Sequence, residues 1–270
     1  PVLVLLARAG GIAFLAFVAL EITLGLVEFY RMMRRRGLSP FQPLGIAYIA
    51  ASLKKAGHQV HLIDCTFLKR EQALRQALSM KAEVVGIYCM VTMLDDCLWF
   101  AKNLRETTRL LIAGGPLPTC EPVIFLDHFD VVIQGEGELT VQELLQAYEQ
   151  QTDPGQVAGV VMKKGQGPSS NGDLFYSQER GFIQDLDQVP FPARDLLPNE
   201  SYIRFGRKKY GFSITTIMST RGCPYRCEFC SNVVFGGSYR ERSARSVVDE
   251  VEAALAQGYD RISFADDVFT

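Results

Sequence analysis

Between residues 44 and 150 the hydrophobic period switches repeatedly between that of a helix and that of a strand, and this alternation constrains the fold more than any other feature. Gly45–Ala56 reads as a helix closed by Gly57 and followed by the short apolar run Val60–Ile63. A charged helix near Lys69–Met80 precedes a strand in Glu83–Met90, and a helix around Leu94–Glu106 precedes a strand at Arg109–Ala113. A short segment at Glu121–Asp127, a strand at Asp130–Ile133 and a helix over Glu138–Gln150 complete the series. Strands separated by helical crossovers pair in parallel, with both sheet faces covered. The expected architecture is a doubly wound α/β sheet of the Rossmann-like (flavodoxin-like) kind, with Val2–Leu6 as its first strand.

A length of 270 residues suggests two domains. With 48% hydrophobic and 21% charged residues the chain is neither disordered, collagen-like nor a coiled coil. Its net charge of −2 provides no basic field to recruit nucleic acid. The chain starts at Pro1 and stops at Thr270 just after a strand-like run, which reads as a fragment cut at both ends.

Gly10–Tyr30 is nearly all apolar, and Arg31, Arg34, Arg35 and Arg36 follow at once. Length and basic flank suit a membrane helix, but Glu21 falls in its middle and Glu28 near its end, where carboxylates are costly in lipid. A buried or interface helix is therefore favoured over membrane contact for residues 10–36. The arginines then read as a solvated flank.

Residues 151–200 hold six Gly and five Pro, a shift in composition. Val157–Lys163 and Asp173–Ser177 read as a hairpin around Gly165, Gly167 and Gly172, and Asp185–Pro198 reads as an extended linker. A second α/β unit begins near Ser213, with strands Ser213–Met218 and Arg261–Ala265 expected to pair in parallel. Between them lies a helix over Ser246–Gln257, which Ser246 and Asp249 would cap and Gly258 would end.

The seven cysteines are unevenly spread. Cys65, Cys89, Cys97 and Cys120 are scattered and read as small buried hydrophobes. Cys223, Cys227 and Cys230 fall within eight residues, a poor disulfide framework but a good metal-binding one, and this suits a reducing compartment, the cytoplasm. Three thiolates at this spacing can wrap one face of an iron–sulfur cluster and leave one of four irons open. Zinc is the alternative. It needs four ligands, and the other candidates, His128 and Cys120, lie roughly a hundred residues earlier.

Cys-x3-Cys-x2-Cys with an aromatic residue before the last cysteine resembles the radical S-adenosylmethionine (radical SAM) enzymes, as do Tyr239-Arg-Glu-Arg-Ser243 and Phe264-Ala-Asp-Asp-Val-Phe-Thr270. The resemblance implies that Cys223, Cys227 and Cys230 ligate a 4Fe-4S cluster whose open iron binds SAM. Phe229 would lie against the adenine, and Asp266 and Asp267 near the SAM amino group. Reduction of the cluster would cleave SAM to methionine and a deoxyadenosyl radical.

Glycine-bearing turns follow strand-like runs at Gly114-Gly115-Pro116 and Gly135-Glu-Gly137-Glu138, and Pro43-Leu-Gly45 opens a helix. Such turns let backbone N–H groups approach an anionic ligand, or simply close a parallel sheet. Gly135-x-Gly137-x-x-Thr140 is only a near miss to the dinucleotide fingerprint. In chain order, however, Pro43-Leu-Gly-Ile-Ala, Ala56-Gly-His-Gln-Val, Val85-Gly-Ile, Gly114-Gly-Pro and Gly135-Glu-Gly-Glu resemble the cobalamin-binding domain found before many radical SAM barrels, and Asp185–Asp195 is similar to the linker of that class. This implies cobalamin contacts from Gly45, Thr92, Gly114, Gly115, Gly135, Gly137 and Glu138. His58, His61 and His128 all lack an Asp two residues earlier, so the Asp-x-His-x-x-Gly source of a lower axial histidine is missing and cobalamin should bind without histidine ligation.

The resemblance divides the chain into a cobalamin-binding domain (1–150), a hairpin and linker (151–212), and the truncated start of a TIM-like partial β/α barrel (213–270). It implies a radical SAM enzyme with cluster, SAM and cobalamin as cofactors. Hydrogen abstraction from substrate would be followed by methyl transfer from methylcobalamin. The substrate would be a small molecule, lipid-like or a tetrapyrrole, and the electron donor a flavodoxin or ferredoxin. A non-methylating tetrapyrrole cyclase and a non-enzymatic cobalamin module stand as alternatives. Hydrolase signatures such as Gly-x-Ser-x-Gly, His-Glu-x-x-His and a Walker loop do not occur.

Overall fold

A computed structural model describes residues 42–163, 174–228 and 230–269. The expected strand Val2–Leu6, the apolar and arginine-rich stretch 10–36, the hairpin tip with Gly165, Gly167 and Gly172, and Phe229 lie outside the described residues. Helix α1 (Leu44–Lys55) and helix α2 (Arg70–Met80) precede strand β1 (Val84–Tyr88) and helix α3 (Leu94–Leu104). Strand β2 (Leu110–Gly114), helix α4 (Pro116–Cys120), strand β3 (Val131–Ile133) and helix α5 (Gly137–Glu149) follow. Strands β1, β2 and β3 pair in parallel, with Tyr88 level with Gly114. Val60–Ile63 has no strand pairing among the described residues.

The hairpin of strand β4 (Val160–Lys163) and strand β5 (Leu174–Tyr176) does not stand apart. It adds two antiparallel strands beside β3, giving a five-stranded sheet in chain order. Alternation along the strands packs both faces. Leu110, Ile112, Val131, Ile133 and Val160 meet Leu144 of α5 and Ile49 of α1, while Leu111, Ala113, Val132 and Val161 meet Cys97 and Ala101 of α3 and Phe125.

The supposed extended linker forms two 3-10 turns, Leu186–Gln188 and Arg194–Leu196, and packs Ala193 and Leu196 on Ala50 and Ala51 of α1. Helix α6 (Asn199–Tyr210), absent from the sequence reading, ends at Gly211 with φ +81°. Its buried Tyr202 donates its hydroxyl to Asp64. The second unit contains strand β6 (Ile214–Ile217), two-residue strands β7 (Thr220–Arg221) and β8 (Arg240–Glu241), helix α7 (Ala244–Ala256) and strand β9 (Arg261–Phe264). β6 and β9 pair in parallel as expected, and no closed barrel forms among the described residues. The cap of α7 is Ser243, not Ser246: the Ser243 hydroxyl accepts the Ser246 N–H, and the helix begins at Ala244, two residues earlier than expected. Gly258, at φ +95°, ends it as expected.

Arg194 joins the units. Nη1 donates to Gln42 Oε1 (2.7 Å) and Thr215 Oγ1 (3.0 Å), and Nη2 to the Thr216 carbonyl (2.7 Å) and Glu250 Oε1 (2.6 Å), with the arginine and glutamate side chains 3% and 1% exposed. Removing one partner of so buried a pair leaves polar groups without water or protein to bond. Arg194→Met should cost about 3–5 kcal/mol and lower the melting temperature by on the order of 10 °C. A melting curve shifted by no more than a surface substitution would contradict this assignment.

Candidate functional site

The carboxyl ends of β1, β2 and β3 share one sheet edge, where open α/β sheets bind ligands. β1 runs into the exposed turn Val91–Met93, which carries Thr92 between the exposed Val91 and Met93. β2 runs into Gly114 and Gly115, and β3 into the turn that holds Gly135, Gly137 and Glu138. Gly45, in the first turn of α1, is exposed, with room for a Cβ 3.9 Å from the Tyr88 ring.

These turns are tied together. The Cys89 N–H donates to the Gly114 carbonyl (2.8 Å), and the Leu117 N–H to that of Cys89 (3.3 Å). Thr119 staples two of the turns: its hydroxyl donates to the Gly115 carbonyl (2.8 Å) and accepts the Gly135 N–H (3.1 Å). The sequence reading missed Thr119, which carries no glycine or charge signal.

The glycines differ in what they require. Gly115 has φ +112°, and a Cβ there would lie 2.7 Å from the Cys89 carbonyl, so the protein alone demands glycine. A Cβ on Gly137 would press on Ile49 at 3.0 Å. Gly114 is the opposite case: its φ is not positive, and among the described residues no atom beyond its chain neighbours lies within 4 Å of a Cβ. Among the described residues nothing excludes a side chain there. The open space at Gly114, level with Tyr88 at the carboxyl edge of the sheet, is a cradle that a ligand can enter.

The cysteine loop spans residues 222–239 between β7 and β8, which pair as Thr220–Glu241 and Arg221–Arg240. The Cys223 N–H donates to the Gly236 carbonyl (3.1 Å), and the Asn232 amide to those of Cys223 (3.2 Å) and Gly236. Gly222, at φ +84°, lets the two strands of the loop meet, since a Cβ would fall 2.2 Å from the Ser238 carbonyl. All three cysteines are free, Cys223 half-buried, Cys227 and Cys230 exposed. Among the described residues no three metal-ligating side chains are already gathered. The donor set nevertheless fits an iron–sulfur cluster in its chemistry: three accessible thiols in one loop, none in a disulfide.

The half-buried Asp266, two residues beyond β9, has its carboxylate committed to the loop's approach, accepting the N–H groups of Ser219 (2.7 Å) and Thr220 (2.9 Å) and the Ser219 hydroxyl. Asp267 is exposed. The loop faces the glycine turns: a Cβ on Gly135 would lie 3.8 Å from the Val234 carbonyl, and Cys120 Sγ lies 4.0 Å from Ser231 Oγ. Of the four scattered cysteines, Cys89 and Cys97 are buried as expected, whereas Cys65, in a surface turn, and Cys120, at the end of α4, are exposed.

Glu138 points at the cysteine loop's base. Arg221 donates to Glu138 Oε1 (2.6 Å) and Glu136 Oε1 (2.8 Å), and Arg240 to both Glu136 oxygens (2.9 Å each). Burial works against the Arg221 charge, but Glu138 and Glu136 outweigh it and hold its pKa above the ordinary value. Arg221, Arg240 and Glu136 were not singled out in the sequence, where only the quoted motifs around them gave a signal.

Residues 31–145 match the B12 binding domain family. An uncharacterised methyltransferase of Pyrococcus horikoshii is 31% identical over 241 residues, 84% of this chain and 49% of the relative. The hopanoid C-3 methylase of Methylococcus capsulatus is 30% identical over 239 residues, 84% of this chain and 42% of the relative. The chain thus carries a B12 binding domain and is similar, over most of its length, to methyltransferase and methylase relatives. The fold is similar to that of the cobalamin-dependent S-adenosylmethionine radical enzyme OxsB, solved with aqua-cobalamin and S-adenosylmethionine, with a TM-score of 0.72 at 20% identity, covering 86% of this chain and 32% of that one. The chain thus spans less than half the length of these curated relatives.

Because Gly114 has open space around it, it separates ligand from fold. Gly114→Val should leave the melting curve within about 1 kcal/mol of the parent, since a β-branched residue suits a strand end. The same change should weaken cobalamin binding at least about tenfold, about 1.4 kcal/mol, by filling the cradle. Titration followed by corrin absorbance checks this, and unchanged affinity would place the ligand elsewhere.

Proposed function

We propose that the chain carries the cofactor-binding portion of an enzyme that methylates an unactivated carbon of a small-molecule substrate, lipid-like or tetrapyrrole. In this reading residues 1–150 bind cobalamin, 151–212 form the hairpin and linker, and 213–270 begin the SAM-binding barrel. The observation that carries it is the approach of the Gly135 turn to the cysteine loop at Val234, which sets two cofactor-suited surfaces face to face.

Cys223, Cys227 and Cys230 would hold a 4Fe-4S cluster, with Phe229, Asp266 and Asp267 near SAM. Gly45, Thr92, Gly114, Gly115, Gly135, Gly137 and Glu138 would line cobalamin. Bound together, these groups supply one-electron cleavage of SAM, hydrogen abstraction from carbon and a transferable methyl group. The chain's own residues bind and orient. Gly114 leaves room for the ligand, and Thr119 locks two turns in register. Asp266 fixes the strand end before the loop through backbone N–H groups. No His carries the Asp-x-His-x-x-Gly pattern, so a bound cobalamin would find no histidine ligand from that motif.

A flavodoxin- or ferredoxin-type donor would supply electrons, and three accessible free thiols suit the reducing cytoplasm. Among the described residues no helix is long and apolar enough to cross a membrane.

Anaerobic reconstitution should load about four irons per chain, and joint replacement of Cys223, Cys227 and Cys230 by Ala should abolish loading. The full-length protein given SAM labelled in its methyl group should pass the label to product. Iron retained by the triple variant would overturn the cluster assignment, and an unlabelled product would assign ring closure or rearrangement instead of methylation.

A further inference from the structure

At the base of the cysteine loop β7 and β8 pair at two positions, and one of them sets Arg221 opposite Arg240. Like charges directly opposite each other on paired strands destabilise the pairing. Here both side chains are also nearly out of water, 4% and 3% exposed, so solvent does little to screen them. The closed loop therefore depends on negative charge from elsewhere, and that charge comes from the glycine turn of the first sheet.

Glu136 sits between the two arginines and is 2% exposed. It bonds Arg221 and Arg240 and also accepts the Ile183 N–H (2.7 Å). Glu138 takes the other branch of the Arg221 fork. Two cations thus meet two anions, neutral overall. Arg240 also donates to the Ile183 (2.7 Å) and Phe235 (3.0 Å) carbonyls, the second within the cysteine loop. Arg221 lies between the rings of Tyr48 on α1 and Phe235 in the loop, 5.2 and 5.1 Å from their centres.

The carboxylates cannot shift without moving the turn. Gly135 holds a left-handed conformation, the Gly135 N–H is bonded to Thr119, and the start of α5 is packed against Ile49. Whatever steadies this turn steadies the carboxylates, and through them the base of the cysteine loop.

Resting on the reading that the turn meets cobalamin and the loop holds the cluster, we propose that Arg221 and Arg240 are positioning residues that couple the two sites: cobalamin bound at the Gly135–Glu138 turn favours the closed, metal-competent cysteine loop, and metal in the loop favours the cobalamin-competent turn. The coupling is reciprocal, as linkage requires. Neither arginine contacts the reacting atoms.

The test measures cobalamin Kd by corrin absorbance on residues 1–270, cluster-free and anaerobically reconstituted. In the parent, reconstitution should tighten cobalamin binding about tenfold, within the usual range of coupling between sites. Arg221→Lys keeps the charge but loses the fork that spans two carboxylates. It should bring the ratio of the two Kd values to within about twofold of one, while iron and cobalamin still bind at parental stoichiometry. Arg240→Lys should do the same, and decides the matter if the first variant does not fold. A purely structural role would lower the melting temperature and leave the ratio at its parental value.

A parent that binds both groups with equal cobalamin Kd in the two states overturns the coupling and leaves the proposed function intact, as do lysine variants that keep the parental ratio. A parent that takes up neither iron nor cobalamin overturns the proposed function, and the coupling with it.

Discussion

Charge buried between the five-stranded sheet and the second α/β unit is the constraint on which the rest depends. Arg194, Arg221, Arg240 and Arg242 face Glu136, Glu138 and Glu250, and every one of these side chains is less than one-tenth exposed. Taking such groups out of water is expensive, and their attraction offsets the cost only if each remaining donor and acceptor is satisfied. That condition holds, since among the described residues no buried side-chain nitrogen or oxygen lacks a partner. Apolar contacts would permit small slides of one unit over the other. Forked guanidinium–carboxylate bonds at 2.6–2.9 Å permit one register. The position of the cysteine loop against the glycine turns is fixed in this way.

Much of the first sheet was legible because it depends on periodicity. Leu110, Leu111, Ile112 and Ala113 form a continuous apolar run, as a strand covered on both faces requires, and the structure sends alternate members to opposite cores. The free cysteines at 223, 227 and 230 were legible because spacing within one loop is local. The β4–β5 hairpin was recognised, but its joining the sheet edge beside β3 was not, since pairing across the sheet leaves no local mark. Helix α6 was hidden by the proline-rich composition before it, although Pro198 at its start and Gly211 at its end are ordinary boundary signals. The α7 cap was misplaced because Ser243 and Ser246 both precede apolar positions, and only the hydrogen bond distinguishes them.

The buried arginines were the least legible part of the site. On composition alone an arginine is a surface residue. Arg194 and Arg221 are interior because Glu250, Glu136 and Glu138, each more than fifty residues away in sequence, await them there. The functional reading of Glu138 shifts accordingly. Its neighbourhood at the start of α5 suits an anionic ligand group, yet its carboxylate is engaged by Arg221, so its part in any ligand site is played from the cysteine-loop side of the turn.

The glycine turns and the cysteine loop, the two surfaces proposed to hold cofactors, are thus held face to face in one chain. The most direct measurement is the electron paramagnetic resonance spectrum of the protein loaded with both groups, its cobalamin in the paramagnetic Co(II) state and its cluster reduced. Two spins held by facing loops should interact, so the spectrum is predicted to show splitting or broadening absent from either singly loaded sample. A spectrum equal to the sum of the two separate signals would contradict the account.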